Sequence, residues 1–163
     1  MAHFAACELD SLGRVGLVND EWERLAAIHA PDVLSVAPLT SPVLAEDEAT
    51  VLNNGESRLH YHATFARIGD QALLQFSYYI WLPTDADPNS GFKGLIWRVT
   101  LDHRGKPLIY DSINLAGQHH QWFAAQPITP RDGTAIREEL QGASGVVLTI
   151  AKNGLLVRAA ARG

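Results

Sequence analysis

The tripeptide His60-Tyr61-His62 is the part of this sequence that most resembles a chemical device. On a β-strand, residues i and i+2 point to one face, so the two imidazoles stand side by side, close enough to share a metal ion. Further donors are available in His119, His120 and Asp111. Two histidines plus a third histidine or a carboxylate suit zinc or ferrous iron, and such an ion activates water or polarises a carbonyl. His60, His62, His119 and His120 are therefore the candidate metal ligands, and a divalent metal (zinc or iron) the candidate cofactor. The competing reading is a solvated polar sheet face that carries two histidines without a metal.

Asp111 and Tyr79 are the candidate proton-transfer groups. The spacing of its hairpin predicts that Asp111 shares a face with Leu95, Trp97 and Val99, opposite Trp97, with Arg98 pointing the other way. A carboxylate on an apolar face favours its protonated form unless paired, which is how catalytic acids are made. Arg58, Ser77, Trp81, Trp97 and Trp122 complete the candidate ligand-binding set, because aromatic side chains with a few polar groups line small-molecule sites. Cys7 stands alone, which removes an intrachain disulfide, and no local signature marks it as a nucleophile. No Walker A, G-x-G-x-x-G, H-E-x-x-H, CxxC or G-x-S-x-G pattern occurs. A glycine followed by H-x-H is similar to the first motif of the cupin family. Here Gly55 precedes His60 by five positions rather than six, no carboxylate follows in Ala63 to Ile68, and the second motif is missing. The family is therefore not carried over to this chain.

These residues need elements to position them. Arg58 to Ile68 alternates in polarity, Gly69-Asp70 follows, and Gln71 to Leu82 alternates again, which predicts a hairpin with a two-residue type I′ or II′ turn. That loop pairs Ile68 with Gln71, Thr64 with Gln75, His62 with Ser77 and His60 with Tyr79. One face is then apolar and aromatic. The other collects Arg58, His60, His62, Thr64, Gln75, Ser77, Tyr79 and Trp81, and a slip of one residue would scramble both. A second hairpin is expected through Leu95 to Leu101 and Pro107 to Ile113, with Gly105 as a left-handed bulge residue that sets Val99 opposite Ile109. A third is expected from Val146 to Ala151 and Leu155 to Arg158, turning at Asn153-Gly154.

Helical spacing of Trp22, Leu25 and Ile28 predicts one amphipathic helix at about 20–29, with Asp20 and Glu23 at capping-box spacing and Pro31 ending it. A turn of helix is expected around Glu46 to Leu52, a short strand at Val33 to Val36, and a second short helix at Thr134 to Gln141. Pro83 to Gly91 reads as a polar loop. Three hairpins with one or two short helices give an α+β class, mainly antiparallel β, with an all-β barrel or jelly roll as the alternative. The 163 residues suit a single domain, 1–163.

Net charge bounds the partners. Eighteen acidic against 13 basic residues leave −5, which argues against a protein that grips phosphate backbones, so nucleic acid is disfavoured. No apolar run reaches the ~20 residues that span a bilayer. Glu8, Asp10 and the lack of a basic n-region at the start argue against a targeting segment, so the expected compartment is the cytoplasm. Of seven histidines, His3, His29 and His103 have ordinary places in an end, a helix terminus and a turn. Three functional readings remain. The first is a metal-dependent enzyme using the His cluster in a polar sheet-face cleft. The second is a module that binds a small molecule or a protein without chemistry. The third is a structural subunit that buries the polar face in a homodimer.

Overall fold

The computed structural model describes residues 19–35, 50–54, 57–82, 93–131, 133–140, 145–151 and 155–162. His3, Cys7, the acidic run 46–48, the polar loop 83–91 and the Asn-Gly turn at 153–154 lie outside them.

The alternating segments form a seven-stranded sheet. In chain order its strands are β2 (Thr50–Asn54), β3 (Ser57–Ile68), β4 (Gln71–Leu82), β5 (Lys93–Leu101), β6 (Pro107–Asn114), β7 (Gln121–Ala124) and β8 (Ile136–Glu139). They lie side by side in that same order, antiparallel throughout except for the parallel β7–β8 pair. A second sheet contains β1 (Asp32–Ser35), β9 (Val146–Ile150) and β10 (Leu156–Ala161), in the order β1-β9-β10. The single helix among the described residues is α1 (Asn19–His29). Among the described residues both sheets are open rather than closed into a barrel, and the fold is mainly β with one helix.

Strand periodicity decides which face is covered. Leu59, Tyr61, Leu74, Phe76, Tyr78, Ile80, Leu95, Trp97, Val99, Tyr110 and Phe123 share one face of the large sheet and are all buried. Ala26 and Ala30 from the helix end of the chain, with Val146, Leu148, Ile150 and Ala159 from the small sheet, join the same apolar cluster. Helix and small sheet therefore cover this face together. Two bonds tie the helix down. Tyr78 donates its hydroxyl to the Ala26 carbonyl at 2.7 Å, and Nε2 of His29 is 3.2 Å from the Gly105 carbonyl in the β5–β6 turn. Burial holds the His29 pKa below 6.5, partly offset by that bond. Burial, reinforced by the neighbouring phenols of Tyr61 and Tyr110, pushes Tyr78 well above 10, and burial pushes Tyr110 up to about 12.

The β3–β4 register matches the sequence reading pair for pair, from Ile68 opposite Gln71 to His60 opposite Tyr79. Gly69 has φ +62 and Asp70 is not left-handed, which makes the turn type II′. The β5–β6 register does not match. Thr100 pairs with Ile109 and Leu101 with Pro107, so Leu108 is an extra residue in β6. This bulge advances every later residue by one place. Val99 meets Tyr110 rather than Ile109, Trp97 meets Ser112, and Arg98 meets Asp111. Asp111 is thus on the polar face beside Arg98, not among Leu95, Trp97 and Val99.

Two helical expectations are also corrected. Thr50 to Leu52 belong to β2, and Ile136–Glu139 is a strand. Strand pairing with β7 outweighs the helix preference of the Arg137-Glu138-Glu139 run, as tertiary context commonly does. The third hairpin is present as β9–β10, closed by Ala151 donating to the Leu155 carbonyl at 2.9 Å. No helix among the described residues is long and apolar enough to cross a membrane.

Candidate functional site

The face of the large sheet turned away from the core carries a polar row. Residues directly opposite one another in successive strands are His62, Ser77, Arg98, Asp111, Trp122 and Ile136. Flanking rows are mixed. His60, Tyr79, Ile96 and Ile113 lie on one side, and Thr64, Gln75, Thr100, Ile109 and Ala124 on the other. Among the described residues neither the helix nor the second sheet packs on this face, and His60, Ser77, Thr100 and Asp111 are each 7% exposed or less.

Asp111 is the charged centre of the row. Its side chain is 1% exposed, and one oxygen, Oδ1, takes all its partners. Arg98 donates from Nε at 2.7 Å, and its Nη2 stands 2.5 Å from the same oxygen as an ion pair. Nε2 of His120 lies 2.9 Å from the same oxygen. Oδ2 is buried without a hydrogen-bond partner among the described residues. Nε2 of His120 is also 3.2 Å from Nη2 of Arg98. Oδ1 can only accept and Nη2 can only donate, so the contact with Asp111 is a hydrogen bond in the Nε2–H tautomer and the contact with Arg98 is one in the Nδ1–H tautomer. With Nε2–H donated to Oδ1, the lone pair stands on Nδ1.

The loop between β6 and β7 delivers His120. Asn114 anchors it, its amide donating to the Gln118 carbonyl at 3.0 Å and its Oδ1 accepting from the Gln118 amide at 2.6 Å. Gly117 turns the chain with φ +80, and His119 takes φ +57, an uncommon conformation for a residue with a side chain. His119 borders a small cavity of about 80 Å³ with Ser112, Asn114 and Leu156, on the covered side of the sheet. The next residue, His120, returns to the Asp111 side, where its ring lies 4.4 Å from that of Trp122.

Beyond Trp122 the same face opens into a groove of about 570 Å³. Its floor is Ile109, Trp122 and Ile136, and its wall is Ile128, Thr129, Pro130, Arg131 and Thr134. Ile68, at the β3–β4 turn, borders it and is 47% exposed. The volume falls in the range of about 300–1,000 Å³ typical of small-molecule sites.

At the other end of the face, His60 meets Trp81 edge-on at 5.0 Å and His62 meets Tyr79 edge-on at 5.3 Å. Tyr79 and Trp81 stack at 5.7 Å. The two histidine pairs do not meet. His60 and His62 are on β3 and His119-His120 precede β7, four strand spacings away, roughly 19 Å along the sheet. Among the described residues no three His, Cys, Asp or Glu side chains converge as metal ligands would.

The candidate set therefore divides. Asp111, His120 and Trp122 form one cluster, and Tyr79, Trp81, His60 and His62 another, with Ser77 in the row between them. Trp97 is corrected from ligand contact to core: it is fully buried, stacked on Tyr110 at 5.4 Å and packed on Phe123 at 5.3 Å. The backbone of Arg58 lies in β3, and its side chain is outside the described residues. Two residues escaped the sequence reading. The sequence reading points Arg98 away from Asp111 because it lacks the Leu108 bulge, although pairing unlike charges across the hairpin selects the true register. Arg131 sits in a Pro- and Thr-rich connection with no pattern of its own. Comparisons with protein-family models, with curated proteins and with solved structures find no match to this chain, so the geometry of the open face is what speaks for its function.

Proposed function

We propose that the protein is an enzyme that uses His120 as a general base on a small molecule held against the open face. The observation that carries this reading is the single contact of Asp111 Oδ1 with His120 Nε2 at 2.9 Å. A buried carboxylate that fixes the Nε2–H tautomer leaves Nδ1 as a proton acceptor, which is the arrangement by which an Asp orients a catalytic histidine. Arg98 acts as a positioning residue, because it holds the carboxylate from the opposite strand. Trp122 forms a shared wall between the imidazole and the groove.

The test uses p-nitrophenyl acetate, an activated ester that reports on accessible, unprotonated imidazole. Hydrolysis by wild type should exceed that of His120→Gln by about tenfold or more, the low end of what one positioned base supplies. His103→Gln and His119→Gln serve as controls and should stay near wild type. Equal hydrolysis by wild type and His120→Gln, with both folded, contradicts the proposal.

A further inference from the structure

The lining of the groove says more about its ligand than the base does. Its floor and nearer wall are apolar, from Ile109, Trp122, Ile128 and Ile136. Among the described lining residues no side chain is acidic, and the charged one is Arg131, which is exposed at the edge of the groove. Thr129 and Thr134 add two hydroxyls. Ile68 leaves 47% of its surface in water on the facing side, an apolar cost that a bound hydrocarbon would remove. An apolar trough edged by one guanidinium and two threonine hydroxyls is complementary to an amphipathic anion. The body lies on Trp122 and the isoleucines, and the head takes the guanidinium's paired N–H groups.

We infer that the groove binds a small molecule with an apolar body and an anionic head, a carboxylate or a phosphate monoester. Calling this ligand the substrate of His120 rests on the proposed general-base reading; the binding itself does not. Trp122 is common to the groove floor and to the His120 contact, so a ligand lying on it brings its near end towards the imidazole.

The experiment is calorimetric titration of the full chain with octanoate, octyl phosphate and octanol as probes. Octanoate or octyl phosphate should bind about tenfold more tightly than octanol, which corresponds to one charge-assisted contact at an exposed edge. Arg131→Gln should abolish that ratio and leave octanol binding unchanged. Trp122→Ala should weaken all three probes. The stronger of the two anions identifies the head group. Equal binding of octanol and both anions by wild type overturns the inference, as does a ratio that survives Arg131→Gln or no binding at millimolar probe. The two readings fail separately. Anion-selective binding with ester hydrolysis indifferent to His120→Gln sinks only the base. Hydrolysis that depends on His120 without anion selectivity sinks only the ligand class.

Discussion

Replacing Arg98 should cost more than replacing Asp111, although they are two halves of one ion pair. The difference follows from their exposure, 28% for the Arg98 side chain and 1% for that of Asp111. Arg98→Met takes away the Nε donor at 2.7 Å and the ion pair of Nη2 at 2.5 Å, and leaves a buried carboxylate with the His120 contact alone. Breaking a buried pair in this way costs about 3–5 kcal/mol. Asp111→Asn removes the buried charge but keeps an oxygen acceptor in place, and the released guanidinium reaches solvent, so the cost is about 1–2 kcal/mol. Combining Arg98→Met with Asp111→Leu removes both charges and should be less destabilising than Arg98→Met alone. Urea denaturation followed by tryptophan fluorescence measures all three variants. For a chain of this size, about 2–4 °C of Tm accompanies each kcal/mol, so Arg98→Met should melt roughly 6–20 °C below wild type. An Arg98→Met cost no larger than that of Asp111→Asn would refute the reasoning, because it would mean that the carboxylate is solvated rather than enclosed.

Other consequences concern the core and the turns. Tyr78 and Tyr110 have folded pKa values above the unfolded value of 10, so their contribution is full below pH 10 and declines as pH rises from 10 towards 12. Denaturation midpoints should therefore fall above pH 10, by about 1.4 kcal/mol per pH unit for each phenol, and Tyr78→Phe should flatten that slope. His29 has the opposite sense. Its folded pKa lies below 6.5, so the unfolded chain takes up the proton first and stability falls as pH drops below 6.5. His29→Gln should lose less stability than wild type between pH 7 and pH 5; an equal loss would place the acid sensitivity elsewhere. Gly94→Ala should cost about 3 kcal/mol or more, measured by thermal melting, because its Cβ would lie 1.8 Å from the Ile80 carbonyl oxygen on the neighbouring strand. Gly145→Ala should be milder, since its Cβ meets only the movable guanidinium of Arg162.

How much of this was legible in the sequence depended on how locally each feature is determined. The β3–β4 hairpin could be read residue by residue because a two-residue turn and twelve-residue strands leave one register that keeps Tyr61, Phe76 and Tyr78 together. The β5–β6 hairpin was recognisable, but a bulge at Leu108 has no compositional mark, and one extra residue moved Asp111 to the other face. Strands β7 and β8 are four residues each, and their parallel pairing forms between segments twelve residues apart, so neither alternation nor a turn signal announces them. For the same reason Asp111 and His120 could be named individually, but not as a pair. Their partnership requires both the bulge and the turn at Gly117 and His119. The histidine pairs showed the converse. Their types suggested a shared metal, and the strand order separates them.

The central claim is that Asp111 fixes His120 as the Nε2–H tautomer with Nδ1 free to accept a proton. Long-range nitrogen–proton correlation spectra of histidine-labelled protein above pH 8 report the tautomer of each imidazole directly. The account predicts that His120 is Nε2–H in wild type and a mixture of both tautomers in Asp111→Ala. An Nδ1–H tautomer in wild type, or a His120 signal unchanged by Asp111→Ala, would contradict it.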